Sequence, residues 1–249
     1  MSSFGNNNDN NNNNPSKCAH TWKTLHRIGG VTALAVLALI PIQMVVFFLW
    51  PLPSSVIDWF RLFQDNALVG LLDMDLLLIV DFLLLVGVFS ALWASLRRTN
   101  ESLMAIALIL QLVATAAYLA STVAFEMLSL SNQYANATTE AERYMFLAAG
   151  EAMLVTWQGT AFDVSYVLSA VAILIVSAVM LRGHLFSKTT GYAGLSAGVL
   201  ALAPPTAGMI GVVFSLVSLV PMAIWLALIA RRLLRSGTVE RDRLPPKQS

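Results

Sequence analysis

The sequence predicts an all-α membrane protein, a polytopic bundle of about six transmembrane helices with short interfacial helices on its outer side. Apolar residues make up 57% of the 249 residues, charged residues only 12%, and the mean hydropathy is +0.70. Charge is absent over stretches of roughly 20 residues, the length that crosses a ~30 Å hydrocarbon layer. A soluble protein would place charged surface residues every few positions, so this composition is typical of a membrane protein.

Changes in composition divide the chain into three regions. Residues 1–24 include an asparagine-rich run at 6–14 and are predicted to form a disordered cytoplasmic tail, because they cannot bury enough apolar area to offset the entropy of ordering. Residues 25–235 form the predicted six-span domain, and residues 236–249 a second disordered cytoplasmic tail.

The apolar runs predict the six spans in order. The fifth run is short, about 15 residues, and ends at Pro204 and Pro205, so it could instead form a bent hairpin with the sixth. The predicted spans are about 29–50, 68–96, 103–128, 161–182, 190–204 and 208–231.

Positive charge is distributed unevenly between the predicted loops. With the N-terminus inside, 13 of the 15 Lys and Arg residues fall on the cytoplasmic side, and only Arg61 and Arg143 fall outside. Cytoplasmic loops retain positive charge, so both termini are predicted to be cytoplasmic. Five or seven spans would break this asymmetry.

Two segments on the predicted outer side should form helices that do not cross the membrane. Residues 51–66 offer serines as helix caps and carry three aromatic residues, which suits a short helix at the lipid interface. Residues 139–158 begin with a capping-box pattern from Thr139 to Glu142. This helix should break near Gly159, because a helix continuing through the fourth span would exceed one membrane thickness.

Asp81 lies inside the second predicted span, and no Lys or Arg in any span could pair with it. An ionised carboxylate at mid-membrane costs about 2.5–3.5 kcal/mol, so Asp81 should face protein or water. The functional interpretation is a titrating acid on a transport path. The structural alternative is that Asp73 and Asp75 mark the outer interface and that Asp81 lies a turn or two below it, hydrated by a local defect.

Four polar residues of the third span share one helical face. Gln111, Thr115, Tyr118 and Thr122 recur at i, i+4, i+7 and i+11. They could line a hydrated path or contact Asp81. The favoured interpretation is structural, since such residues hydrogen-bond neighbouring helices at about 0.6–2 kcal/mol each.

A group of acids is predicted near the outer ends of the helices. Glu126, Glu151 and Asp163, together with Asp73 and Asp75, give the outer half an acidic character. A cation-binding vestibule is one interpretation, although no hard-cation loop signature supports it. Carboxylates at water-exposed helix ends need no special explanation.

Small residues and prolines mark the remaining spans. Gly194 and Gly198 form a GxxxG motif in the fifth span, and one face of the sixth carries Gly208, Gly211, Ser215 and Ser218. Small residues let helices approach closely, so packing is their predicted role. Pro41 and Pro221 should kink the first and sixth spans.

Several functional classes are excluded by missing signals. His20, His26 and His184 lie at or beyond the predicted inner membrane edge, so they cannot form a bis-His haem site within the bundle. The sequence contains no HExxH, Walker A, nucleophile-elbow or dinucleotide motif. The single cysteine, Cys18, offers no disulfide or Cys-based metal site. We therefore predict no enzyme activity, no cofactor and no metal, and the net charge of +1 predicts no attraction to nucleic acid.

Two sequence blocks resemble a prokaryotic family of multi-span membrane proteins, domain of unknown function 4386. The blocks are residues 124–131 with 133–134, 138–141 and 147–151, and residues 179–182 with 186–194. The resemblance covers roughly residues 25–235. It implies a bacterial or archaeal plasma-membrane location and a six-span bundle, but no activity and no binding residues.

Three functions remain open from the sequence. The leading hypothesis is a small transporter or proton-coupled carrier in which Asp81 titrates and the polar face of the third span lines the path. The alternative is a non-catalytic sensing, scaffolding or assembly module. An enzyme acting on lipid through Glu126, Glu151 or Asp163 is the least favoured. Besides the lipid bilayer, the predicted partners are further copies of the chain or another membrane protein, because six spans in 249 residues leave little room for a soluble domain.

Overall fold

The computed structural model describes the backbone of residues 15–239 and the side chains of residues 24–235. All regular secondary structure in this part of the chain is helical, which confirms the predicted all-α bundle. The α-helices are α1 (Pro15–Leu49), α2 (Val56–Asp65), α3 (Ala67–Leu71), α4 (Leu77–Leu96), α5 (Glu101–Ser121), α6 (Ala124–Asn136), α7 (Glu140–Trp157), α8 (Thr160–Arg182), α9 (Lys188–Leu200) and α10 (Gly208–Val239), and a π-helical turn (Leu72–Leu76) joins α3 to α4.

The bundle has two distinct ends. At one end the first part of α1 meets the last parts of α4 and α10, since Gly29 lies against Ala91 and Leu233. We call this the basic end, because the arginines at the ends of the long helices lie there, namely Arg97, Arg98, Arg182, Arg231 and Arg232. At the opposite end α2, α6 and α7 pack together, and we call these three helices the cap.

Five helical segments are long and apolar enough to cross a membrane, namely Thr24–Leu49, Ala67–Leu96, Glu101–Asn136, Glu140–Arg182 and Gly208–Arg235. The predicted fifth span is α9, whose 13 residues extend only about 20 Å. The turn at 201–207 then continues towards the cap, where the Thr206 hydroxyl donates a hydrogen bond to the Asp163 carboxylate near the start of α8. In the described part of the chain, α9 and the irregular turn after it thus run back along α8 from the basic end to the start of α8.

The predicted third span is wrong in its length, because it is two helices rather than one. α5 ends at Ser121 and α6 begins at Ala124, and the backbone of Thr122 is extended, with φ −70° and ψ 138°. Thr122 and Val123 are both β-branched, which disfavours helix. The Thr122 hydroxyl also donates a hydrogen bond to the Leu119 carbonyl, closing the last turn of α5.

Asp73 and Asp75, which one alternative placed at the outer interface, are enclosed by protein. Both lie in the π-helical turn and are buried, Asp73 at 2% exposure and Asp75 at 1%. A π-helical turn inserts an extra residue into the helix and changes which side chains face inward, and such turns are frequent at functional sites. Hydropathy carries no sign of this turn, because its flanking residues are uniformly apolar.

The cap helices begin where their capping residues predict. The Ser55 hydroxyl accepts the Asp58 N–H at 3.3 Å, which starts α2. Thr139 and Glu142 form the predicted capping box at the start of α7, with bonds of 3.2 and 3.1 Å. α7 ends next to the predicted break at Gly159.

The aromatic residues of α2 pack against protein in the cap. Trp59, Phe60 and Phe63 are fully buried in a cluster that includes Met127 of α6. The apolar face that was predicted to lie in lipid is therefore covered by α6 and α7. This packing fixes the position of the cap helices relative to one another.

The first and last described helices extend into the two predicted tails. α1 begins at Pro15, so residues 15–24 of the predicted N-terminal tail have helical backbone. Proline is well suited to the first turn of a helix, and no glycine or proline follows it before Gly29. At the other terminus α10 continues to Val239. The remaining tail residues, 1–14 and 240–249, lie outside the described residues.

Candidate functional site

A cavity of about 490 Å³ lies between the long helices next to the cap, and we call it the upper chamber. A second cavity of about 170 Å³, the lower chamber, lies further towards the basic end. Both are formed mainly by α1, α4, α8 and α10. The chambers adjoin, because six residues line both of them, namely Ile40, Gln43, Leu78, Phe82, Tyr166 and Leu219.

Asp73 is the charged residue of the upper chamber. The π-helical turn directs it into the bundle, and neither of its carboxylate oxygens has a hydrogen-bond partner among the described residues. Two further polar groups of the chamber are buried without a partner there, the Gln43 amide nitrogen and the Tyr118 hydroxyl. Leaving a buried polar group unpaired is costly, so three such residues around one cavity indicate a place for a ligand or for water.

An aromatic wall forms one side of the upper chamber. The rings of Phe82 and Tyr118 stack at 4.4 Å between centroids, Tyr118 and Phe162 lie 6.3 Å apart, and Phe162 and Tyr166 lie 6.2 Å apart. Trp157 adds a fifth ring from the end of α7. The chamber is therefore largely apolar, with a few polar groups at defined places, which is typical of small-molecule sites.

Asp81 lines the lower chamber. It is half-buried and faces a cavity that also holds the hydroxyl-bearing side chains of Tyr166, Ser169 and Ser218. No Lys, Arg or His side chain is among the described residues that line either chamber. The structure thus places Asp73 and Asp81 in adjoining cavities whose described lining includes no basic residue to neutralise them.

The polar face predicted on the third span divides between two roles. The Ser169 hydroxyl of α8 donates a hydrogen bond to Gln111 Oε1 at 2.9 Å, and the Thr115 hydroxyl donates one to the Gln111 carbonyl at 2.9 Å. Gln111 and Thr115 are buried between helices and line neither chamber. Tyr118 is the member of this face that reaches the upper chamber.

Asp163 and Ser215 stabilise the cap-side rim of the upper chamber. Asp163 accepts the hydrogen bond of Thr206, which lines the chamber. The Tyr166 hydroxyl donates to Ser215 Oγ at 3.0 Å, and the Ser215 hydroxyl donates to the Ala203 carbonyl at 3.4 Å. Ser215 therefore does more than provide a small surface for helix packing, since it connects α8, the turn before α10 and the chamber.

The acids of the predicted vestibule do not converge on a metal site among the described residues. Glu126 and Glu151 are exposed on α6 and α7, while Asp163 is held by Thr206. No three His, Cys, Asp or Glu side chains of the described part come close enough to hold a metal ion.

The glycines of α9 face other helices of the same chain. Gly194 lies against Ser177 of α8 and Trp225 of α10, and Gly198 lies against α8. Gly211 lies against the turn that precedes α10. Any larger side chain at Gly194 would collide with its neighbours, so α9 is held closely between α8 and α10.

Asp75 has a capping role that the sequence did not indicate. Its Oδ2 accepts hydrogen bonds from the backbone N–H groups of Val123 and Ala124, both at 2.7 Å, and its Oδ1 accepts one from Trp157 Nε1 at 2.9 Å. The carboxylate therefore caps the N-terminus of α6 from a different helix. The sequence carries only weak signals of this contact. They are an acid in the second apolar run and a β-branched pair, Thr122 and Val123, in the third.

No protein-family model, no curated protein and no solved structure matches this chain. The resemblance to domain of unknown function 4386 therefore stays a prediction. The two chambers and their carboxylates are the features from which a function can be inferred.

Proposed function

We propose that the protein is a small carrier, without catalytic activity, that moves a small molecule across a cell membrane in exchange for protons. The observation that supports this is the placement of two carboxylates, Asp73 and Asp81, in adjoining intramembrane chambers. Ionisable side chains within membrane helices are costly and are found where ions, protons or substrates pass.

Neutralisation of the two carboxylates supplies the coupling in this proposal. Enclosing a charged carboxylate in an apolar cavity costs much free energy. Enclosing a carboxylate that has bound a proton or a cationic ligand costs much less. The bundle can therefore close around Asp73 and Asp81 only after they have taken up a proton or a cargo. Proton binding and cargo binding then compete, and the carrier exchanges one for the other.

The helices that would move are α1 and α10, which line both chambers. Each contains a proline, Pro41 in α1 and Pro221 in α10. A proline removes one main-chain hydrogen bond and weakens a helix at that point. Bending at these positions would open the chambers towards one end of the bundle or the other.

We further propose that the protein lies in a prokaryotic plasma membrane with both termini in the cytoplasm. The structure places the beginning of α1 and the end of α10 at the basic end, together with the arginines of the other long helices. Positively charged ends remain on the cytoplasmic side. The resemblance to domain of unknown function 4386 supports the prokaryotic location.

Proton exchange in reconstituted vesicles tests the carrier proposal. Proteoliposomes loaded with a pH-sensitive dye would be exposed to a panel of amines, amino acids, sugars and organic acids. At least one compound should change the internal pH with the native protein and not with protein-free vesicles. Asp81→Asn should lose this response, because an amide cannot exchange the proton.

The control for this experiment is Asp65→Asn, which changes an exposed acid at the end of α2. It should respond like the native protein. An Asp81→Asn variant that still responds fully would refute the role of Asp81. A native protein that responds to no compound would refute proton exchange.

Assembly through the cap is the second candidate function. α7 exposes three large apolar side chains, Tyr144, Met145 and Val155. If the protein is an assembly or sensing module, these residues should contact another copy or another membrane protein. Native mass spectrometry would then show an oligomer that Met145→Lys dissociates, in a protein that moves no protons. Gly194 cannot be used for this test, because it packs inside the chain.

A further inference from the structure

We propose that the upper chamber binds a hydrophobic organic cation, such as an alkyl- or arylammonium ion, with Asp73 as its counter-ion. This inference rests on the carrier proposal for its biological meaning, because it names the class of cargo. The binding itself can be measured without transport.

The charge of the chamber selects for a cation. Both oxygens of Asp73 are buried and lack a partner among the described residues. No basic side chain of the described part lines the chamber, so a bound anion would meet only negative charge and dipoles. An ammonium group would donate charge-assisted hydrogen bonds to the carboxylate, which are the strongest hydrogen bonds available there.

The aromatic wall favours an organic cation over a metal ion. The rings of Phe82, Tyr118, Phe162 and Tyr166 lie side by side along the chamber. Such rings attract an ammonium group through their faces and bury apolar parts of a ligand. Hard metal ions instead need about six or more oxygen ligands, and the described residues contain no cluster of three acids or histidines.

The size of the chamber fits an organic molecule of moderate size. Its volume of about 490 Å³ falls within the ~300–1,000 Å³ that small-molecule sites occupy. The Gln43 amide nitrogen and the Tyr118 hydroxyl, both without partners in the described part, could hydrogen-bond polar atoms of the same ligand. A small inorganic ion would leave most of this volume empty.

The chamber also has a side that faces lipid. Met44 of α1 and Leu216 of α10 line it while being 47% and 52% exposed. The cap-side halves of these two helices are exposed along most of their length. An amphipathic amine concentrates in the bilayer with its charge near the interface, and it can reach Asp73 between α1 and α10 without crossing water.

Binding of a permanent cation tests the inference directly. The full-length protein in nanodiscs would be titrated with radiolabelled tetraphenylphosphonium. The bound probe would then be displaced with three competitors that share one carbon skeleton and differ in charge, namely 4-phenylbutylamine, 4-phenylbutanol and 4-phenylbutyrate. The native protein should bind the probe saturably, and the amine should displace it at a concentration about tenfold or more below that of the alcohol. The carboxylate should not displace it.

Variants then locate the bound charge. Asp73→Asn should weaken binding about tenfold or more, whereas Asp65→Asn should leave it unchanged. If Asp73→Asn does not fold, as judged by its thermal transition, Leu216→Trp provides a second variant. This residue is exposed to lipid, so its replacement should be tolerated, and the larger side chain should narrow the opening and lower binding.

The outcomes separate this inference from the carrier proposal. Equal competition by the amine and the alcohol, or unchanged affinity in a folded Asp73→Asn protein, would overturn the cation site. Saturable cation binding that requires Asp73, without any proton exchange in vesicles, would support the site and refute the carrier. Proton exchange driven by another compound, with no cation binding, would refute the site and leave the carrier in place.

Discussion

The Asp75 carboxylate accepts the backbone N–H of Val123 at 2.7 Å, at the point where α5 has ended and α6 begins. The same carboxylate accepts the N–H of Ala124 and the indole N–H of Trp157. One side chain thus connects the π-helical turn, the start of α6 and the end of α7. These contacts hold the cap on the bundle and fix the π-helical turn from which Asp73 enters the upper chamber.

Replacing Asp75 by alanine should destabilise the protein by about 3 kcal/mol. The variant removes a helix cap, worth about 0.5–2 kcal/mol, and leaves buried donors without an acceptor, at about 1–3 kcal/mol. Reversible unfolding in mixed detergent micelles, followed by circular dichroism, would measure this loss. Asp65→Ala is the control, since Asp65 is exposed, and a loss below about 1 kcal/mol for Asp75→Ala would contradict the capping role.

Ser169→Ala should cost about 0.6–2 kcal/mol of stability. The Ser169 hydroxyl donates to Gln111 Oε1 between α8 and α5, both residues are buried, and its removal leaves the amide oxygen unpaired. The same unfolding measurement applies. Ser196→Ala is the matched control, because Ser196 is exposed and its hydroxyl donates only to the Tyr192 carbonyl of its own helix. Equal stability of the two variants would show that the interhelical bond contributes nothing.

The sequence predicted the long helices and their starts but missed the break in the third span, and this difference has a physical cause. Long apolar runs predict helices because membrane-embedded backbone must satisfy its own hydrogen bonds. Capping residues such as Thr139 predict helix starts for a similar local reason. The β-branched pair Thr122 and Val123 disfavours helix locally, but the break there is also stabilised by Asp75, which is 48 residues away from Val123. No local pattern contains that contact.

The candidate site shows the same limit. Asp81 could be singled out because a lone acid in an apolar run is conspicuous in any sequence. Asp73 could not, because its direction depends on the π-helical turn, and the neighbouring Asp75 made both residues resemble an interfacial pair. Gln111 and Tyr118 share a helical face, yet one packs between helices and the other lines the chamber, since the cavity reaches only part of α5.

Gly194→Leu should destabilise the protein by about 3 kcal/mol. A larger side chain at this position collides with Ser177 and Trp225, and overpacking of this kind typically costs about 1–3 kcal/mol or more. Ser196→Leu, on the exposed side of α9, should have little effect. Unfolding and native mass spectrometry would be measured together. A change of oligomeric state at unchanged stability would show that the glycine face packs between chains instead.

Cysteine labelling should place the cap outside the cell and the basic end inside. Two single-cysteine variants, Ala135→Cys and Ser102→Cys, would be made in a Cys18→Ser background. Ala135 is an exposed residue of α6 in the cap, and Ser102 is an exposed residue at the start of α5. A membrane-impermeant maleimide should label Ala135→Cys in intact bacterial cells and Ser102→Cys only after permeabilisation. The reverse pattern would show that the orientation is opposite to the one proposed. Labelling of both cysteines in intact cells would show that no membrane barrier separates the two positions.

A small hydrophobic carbodiimide should modify Asp73 and Asp81 but not Asp75. The first two carboxylates line cavities and have no hydrogen bond among those described, whereas three donors occupy the oxygens of Asp75. Diisopropylcarbodiimide treatment followed by peptide mass spectrometry would identify the modified residues.

Tetraphenylphosphonium should protect Asp73 more than Asp81, because the upper chamber is the larger one and holds the aromatic wall. The comparison of the two acids within one sample controls for the amount of reagent in the bilayer. Protection of Asp81 alone would move the cation site to the lower chamber. Modification of Asp75 to the same extent as Asp73 would show that the cap opens readily, since the reagent can reach Asp75 only after its bonds to Val123, Ala124 and Trp157 have broken.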